Sequence, residues 1–302
     1  MNFKRIFSFL MIAFLTVQFQ WACDKEKKND TNLLQAPVND PKNNYEVIVE
    51  IISFGGINGC AFGSVEQNNQ FVGNAEIKVN EVSFYSDTTS FFSFYFADTL
   101  NPLKYTTLTK YQLSVKHAGK VIAQGQAVMP SVPAVRNLSN PTQHSLNKAL
   151  LVQWQKVEQA TAIQVIVTGK VYNPTIKDTV EKEFDSGLLS PETTQITIPD
   201  TMFNLPGTYV LGIVALNGIN PGMIPTQLYD ENGHYQKSYN IEGAAGIFLA
   251  AMAYPDPVGL RIIVSEATGK SSLARPDDSA PRLKDMLKKK LSELTQKLLS
   301  HD

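Results

Sequence analysis

From Tyr45 onward the chain alternates apolar and polar side chains in short runs, and turns rich in Gly, Asn and Ser separate them. That period of two puts one row of side chains on each face of a strand, and it rules out long helices through this region. Tyr45-Glu46-Val47-Ile48-Val49-Glu50-Ile51-Ile52 is rich in β-branched residues, and Ala75–Val79 and Tyr111–Val115 alternate more cleanly. Lys120-Val121-Ile122-Ala123 follows a His-Ala-Gly turn, which predicts a hairpin. Short strands at such spacing predict an all-β chain built of sandwiches. Pro130 and Pro133 bound a short linker, so a domain boundary is expected there.

The second half repeats the pattern. Leu150, Val152 and Trp154 share one face of a strand, with Trp154 as the bulky core anchor. Ile163, Val165 and Val167 alternate on the next, and Thr193–Ile198 forms another. The apolar fraction of 43% is enough to build real cores. A net charge of −1 argues against a nucleic-acid partner, because neutralising phosphates takes a basic surface.

The N-terminus predicts an address. Lys4 and Arg5 precede an apolar run, Ile6–Phe19, and small Ala22 stands directly before Cys23. The run is short of the ~20 residues that cross a bilayer as a helix. After Cys23 comes the polar stretch Asp24-Lys25-Glu26-Lys27-Lys28-Asn29-Asp30. This order predicts a bacterial lipoprotein, cut before Cys23 and acylated on its thiol. Secretion with cleavage after Ala22 is the alternative. Gln20 stands where such signals usually carry Leu. With Cys23 acylated, Cys60 is left without an intramolecular disulfide partner.

Two resemblances follow from these residues. Leu205-Pro206-Gly207-Thr208-Tyr209 leading into a long apolar strand, after a strand with Trp154 and one with Val165, resembles a fibronectin type III module. In that family the tyrosine hydroxyl bonds back to the preceding turn, which makes Tyr209 the candidate here. The segment Asn240-Ile241-Glu242-Gly243-Ala244-Ala245-Gly246-Ile247-Phe248 resembles the Asn-x-x-Gly-x-x-Gly-x-Phe ending of uncharacterised Bacteroidetes-type outer-membrane surface lipoproteins. Members of that family often lie beside TonB-dependent receptors. The resemblance implies a lipid-anchored protein of the outer membrane, on the cell surface, associated with an uptake receptor.

Candidate sites are sparse. His117, His144, His234 and His301 are scattered and make no metal-ligand spacing, so no metal or cofactor is expected. Gly269-Lys270-Ser271 lacks the earlier glycine of a phosphate loop, with Val264 in its place. Asp230-Glu231-Asn232-Gly233 lacks the spaced ligands of a calcium loop and reads as a turn. Phe84, Tyr85, Phe91, Phe92, Phe94, Tyr95 and Phe96 crowd together, and strand parity points Phe91 and Tyr95 away from the core formed by Phe92, Phe94 and Phe96. Exposed, the pair would stack on a glycan or a partner surface; covered, it is packing. Leu283, Leu287, Leu291, Leu294 and Leu298 form a stripe at helical spacing, with Lys284, Lys288, Lys289, Lys290 and Lys297 at other positions. Such an amphipathic helix packs on the body, a membrane or another helix.

The expected organisation is a signal peptide over 1–22, a lipidated tether over 23–44, an Ig-like sandwich over 45–133, a fibronectin III-like sandwich over 134–266, and a linker with amphipathic helix over 267–302. No acid, base or nucleophile constellation emerges, so the expected function is non-catalytic: binding or assisting an outer-membrane receptor. A glycan- or ligand-binding module is the alternative.

Overall fold

The computed structural model describes residues 44–56, 58–68, 70–87, 94–97, 103–221, 240–255 and 259–265. The predicted signal and Cys23, Phe91, the 230–233 and 269–271 turns, and the 267–302 segment lie outside them. Among the described residues the chain is all-β, interrupted by one 3-10 turn at Asp200–Phe203.

The first half supplies β1 (Tyr45–Phe54), β2 (Asn58–Gln67), β3 (Gln70–Phe71), β4 (Glu76–Val79), β5 (Val82–Asp87), β6 (Phe94–Ala97), β7 (Lys110–His117) and β8 (Lys120–Val128). The second supplies β9 (Thr142–Ser145), β10 (Leu150–Gln153), β11 (Ala162–Asn173), β12 (Asp178–Asp185), β13 (Gln195–Ile198), β14 (Gly207–Asn217), β15 (Ile241–Glu242), β16 (Ala245–Tyr254) and β17 (Leu260–Ser265). The predicted β7–β8 hairpin closes through Ala118 and Gly119, both at positive φ (50° and 76°), the geometry of a tight two-residue turn.

A hydrogen-bonded path runs β12-β11-β14-β16-β1-β2-β6-β5-β4-β7-β8-β15, while β10 and β13 pair separately. The path crosses the Pro130–Pro133 segment in space, because β1 pairs in parallel with β16 from Glu46–Ala245 to Phe54–Ala253. Its other edge pairs antiparallel with β2. Parallel partners need a long connection, and here most of the chain separates the two strands. The Pro-rich connection is also held by backbone bonds: Ser131 N donates to Glu158 O at 3.0 Å, and Gln155 N donates to Ala134 O at 3.0 Å.

The Asn-Gly-Gly-Phe segment makes this junction. Asn240 Nδ2 donates to Gln126 O on β8 at 2.9 Å and to Phe248 O, while its Oδ1 accepts from Phe248 N at 3.0 Å. One side chain thus ties β8 to β16. Gly246, at φ 129°, lies so close to β1 that a Cβ there would sit 1.8 Å from the Val47 carbonyl oxygen. Only glycine permits that approach.

The main core takes side chains from both halves. Val47, Val49 and Ile51 of β1 join Ile77, Leu113 and Val115 of the first half and Val165, Tyr209, Phe248 and Met252 of the second. Trp154 is buried there as predicted, with Leu150 and Val152 beside it and Leu151 outside. Ile163, Val165 and Val167 are likewise buried.

Candidate functional site

Three tyrosines that carry reactive-looking hydroxyls are committed to the backbone. Tyr209 donates to Leu205 O at 2.9 Å, the turn closure expected of it, and its ring stands edge-on to Phe203 at 5.3 Å. Gly169 opposite leaves room for that ring, since a Cβ would come within 2.5 Å of Tyr209 Cδ1. Tyr111 donates to Lys104 O in the same manner. Burial pushes the Tyr209 hydroxyl up to about 12, so it stays protonated and donating.

Tyr95 is not the surface residue that parity suggested. It is buried; its hydroxyl donates to Val72 O and accepts from Ala75 N at 2.8 Å, and its ring packs on Phe71. The reason lies in β6, which pairs with both β2 and β5 and places Tyr95 over the main core. An all-aromatic run offers no polar alternation from which to choose its inward face. Phe91, its proposed companion, lies outside the described residues.

The two described histidines, His117 and His144, are also spent locally, while His234 and His301 lie outside the described residues. His117 Nδ1 meets Tyr45 Oη at 2.6 Å, and His144 Nε2 donates to Lys148 O at 2.8 Å with its ring edge-on to Phe203. Among the described residues, no three His, Cys, Asp or Glu side chains gather in a way that would hold a metal ion.

Two features are not explained by the main core. The first is Glu50 at the centre of β1. Its side chain points to the outer face of the central sheet, between Ile48 and Ile52 along the strand and opposite Phe62 and Leu249 on the neighbours. Only 8% of the residue is exposed, and Oε2 has no hydrogen-bond partner among the described residues. Desolvation pushes its carboxyl up to about 7. Nothing in the sequence singled this residue out.

The second is the β11–β12 ribbon. β11 pairs with β14 only as far as Gly169–Tyr209, while its ladder with β12 continues to Asn173–Asp178. The last residues therefore form a two-stranded tip beyond the sheet. Tyr172 and Ile176 sit there, 55% and 59% exposed. β12 is the end of the path, and its sequence Asp178-Thr-Val-Glu-Lys-Glu-Phe-Asp185 carries charge along that edge, which discourages indiscriminate strand addition.

No protein-family model matches this chain, and no curated protein matches it either. The reading of its function therefore rests on these residues.

Proposed function

We propose that this chain is a non-catalytic, lipid-anchored protein of the outer-membrane surface that binds or assists a membrane receptor. In this reading Cys23 carries the lipid, residues 24–44 are the tether, and the body is two sandwich units, 45–133 and 134–266, joined edge to edge through β1 and β16. A C-terminal amphipathic helix over the Leu283–Leu298 stripe completes it.

The observation that carries the binding role is the ribbon tip. An aromatic and a branched aliphatic side chain stand exposed at the end of a hairpin that rises past its sheet. Aromatic anchors supply large contact area with few rotatable bonds, and they are enriched at protein interfaces. The charged flank of β12 favours a partner that meets the tip rather than one that adds a strand. The glycan alternative loses one of its two aromatic contacts, because the Tyr95 ring is inside the core.

The test is crosslinking from the tip in the native envelope. A photoreactive benzoylphenylalanine in place of Ile176 should yield an adduct with one integral membrane protein. The same group in place of exposed Leu151, on a different strand, should not. Equal adducts from both positions, or none from Ile176, would overturn the ribbon as the contact.

A further inference from the structure

The two ends of the central sheet hold different things. At one end the chain enters the body, and it is pinned there. Asn44 Nδ2 donates to Asn68 Oδ1 at 2.8 Å, Asn68 N donates to Asn44 O at 3.2 Å, and Tyr45 Oη meets His117 Nδ1 at 2.6 Å. β1 therefore starts from a fixed point, between the end of β2 and the β7–β8 turn.

The ribbon lies at the other end. β16 runs parallel to β1, β14 antiparallel to β16, and β11 antiparallel to β14, so β11 points the same way as β1. The register joins them in one row, with Ile52 paired to Ala251, Ala251 to Leu216, and Leu216 to Ala162. From Tyr45 to Ile52 the chain climbs seven residues, and from Ala162 to Asn173 it climbs eleven more. At ~3.3 Å per residue these legs are about 23 Å and about 36 Å long. Three strand-to-strand steps, each twisting by ~20–25°, turn the second leg by about 65° and leave about 50 Å between Tyr45 and Asn173. The tip with Tyr172 and Ile176 is thus the pole of the body farthest along the sheet from the chain entry.

This separation decides what the tip can touch, and the inference rests on the anchored, receptor-binding reading above. There the lipid holds the body through 24–44, whose polar composition predicts a root-mean-square span of about 25 Å, half of that separation. With the entry drawn to the bilayer, the tip faces away from it. Charge also speaks against lipid as the occupant. Lys170, Lys177 and Lys182 stand among four carboxylates, Asp178, Glu181, Glu183 and Asp185, so the ribbon lacks the basic excess that holds a surface element on anionic lipid.

We propose that the ribbon tip is the membrane-distal pole of the anchored protein, and that it engages the part of its protein partner that projects out of the bilayer. The partner's lipid-facing wall is out of its reach in this orientation. A partner met this way presents an apolar recess on an extramembrane segment, which the Tyr172 ring and Ile176 fill.

Height above the bilayer is measured on the lipidated full chain, in vesicles of phosphatidylethanolamine and phosphatidylglycerol that carry an acceptor-labelled lipid. Cys60→Ser removes the competing thiol. A donor dye is then placed either at Thr175→Cys in the tip or at Gln70→Cys beside the chain entry, both exposed positions. The Gln70 donor should be quenched at least about fivefold more efficiently than the Thr175 donor, because the two lie at opposite poles. Equal quenching, or stronger quenching at Thr175, would overturn the distal placement. A chain that does not float with the vesicles would remove lipid anchoring and the proposal with it, a failure read separately from the quenching. On the partner's side, adducts of benzoylphenylalanine in place of Ile176 should map to segments outside the bilayer. Adducts on membrane-spanning strands would overturn the assignment, and no adduct at all would overturn the ribbon contact beneath it.

Discussion

Glu50 gives the sharpest thermodynamic prediction. Its carboxyl titrates from 4.5 to about 7 on burial, with desolvation the cause. A folded-state pKa above the unfolded one means that the native chain binds this proton more tightly. Below about pH 4.5 the group is protonated in both states and costs nothing by ionising. Between 4.5 and 7 the unfolded chain releases its proton while the native chain keeps it, so stability falls as pH rises; above 7 the loss is complete. At 1.36 kcal/mol per pKa unit the loss is about 3 kcal/mol, a large share of a typical domain's stability. Glu50→Gln keeps the shape and removes the titration. Urea unfolding of the mature protein and this variant, compared from pH 4 to 8.5, should show the variant gaining about 3 kcal/mol on the parent across that range. The subtraction cancels the other titrating groups and any constant cost of burying the amide. A difference that is flat with pH, or that slopes the other way, would mean that Glu50 is ionised or solvated in the native protein.

Gly246→Ala should cost more than about 3 kcal/mol, read as a fall in the urea midpoint, because its Cβ meets the Val47 carbonyl at 1.8 Å. Since β1 and β16 join the two halves, unfolding should follow one transition by tryptophan fluorescence and circular dichroism alike; two separated transitions would contradict that junction. Tyr209→Phe deletes the bond to Leu205 O and should cost about 1 kcal/mol in the same assay. Cys23→Ala should move the protein from the membrane to the soluble fraction, and retention at high salt would refute lipid anchoring.

Strand patterning was legible wherever one face was wet. Leu150, Val152 and Trp154 fell inward with Leu151 outward, and Tyr209 closed its turn as the fibronectin resemblance implied. What alternation does not carry is the partner of each strand. β16, Ala245–Tyr254, is nearly all apolar because it is covered on both faces, a mark of a central strand rather than of any particular neighbour. Its parallel pairing with β1 across most of the chain depends on the close approach at Gly246, and its tie to β8 on Asn240, roles that appear only in three dimensions. For the same reason Glu50 drew no attention in the sequence: period two separates the faces of a strand, but it does not say whether the second face is buried. The exposed Tyr172 and Ile176 follow from β11 outrunning β14, a length difference that depends on sheet registration.

The receptor-binding role is tested most directly by purifying the native protein from its own membranes in mild detergent and at low salt, with mass spectrometry of everything that co-elutes. The account predicts one stoichiometric β-barrel partner, lost when Tyr172→Ser and Ile176→Ser are combined. Recovery of the lipidated protein alone, or of a partner held equally well by the double variant, would contradict it.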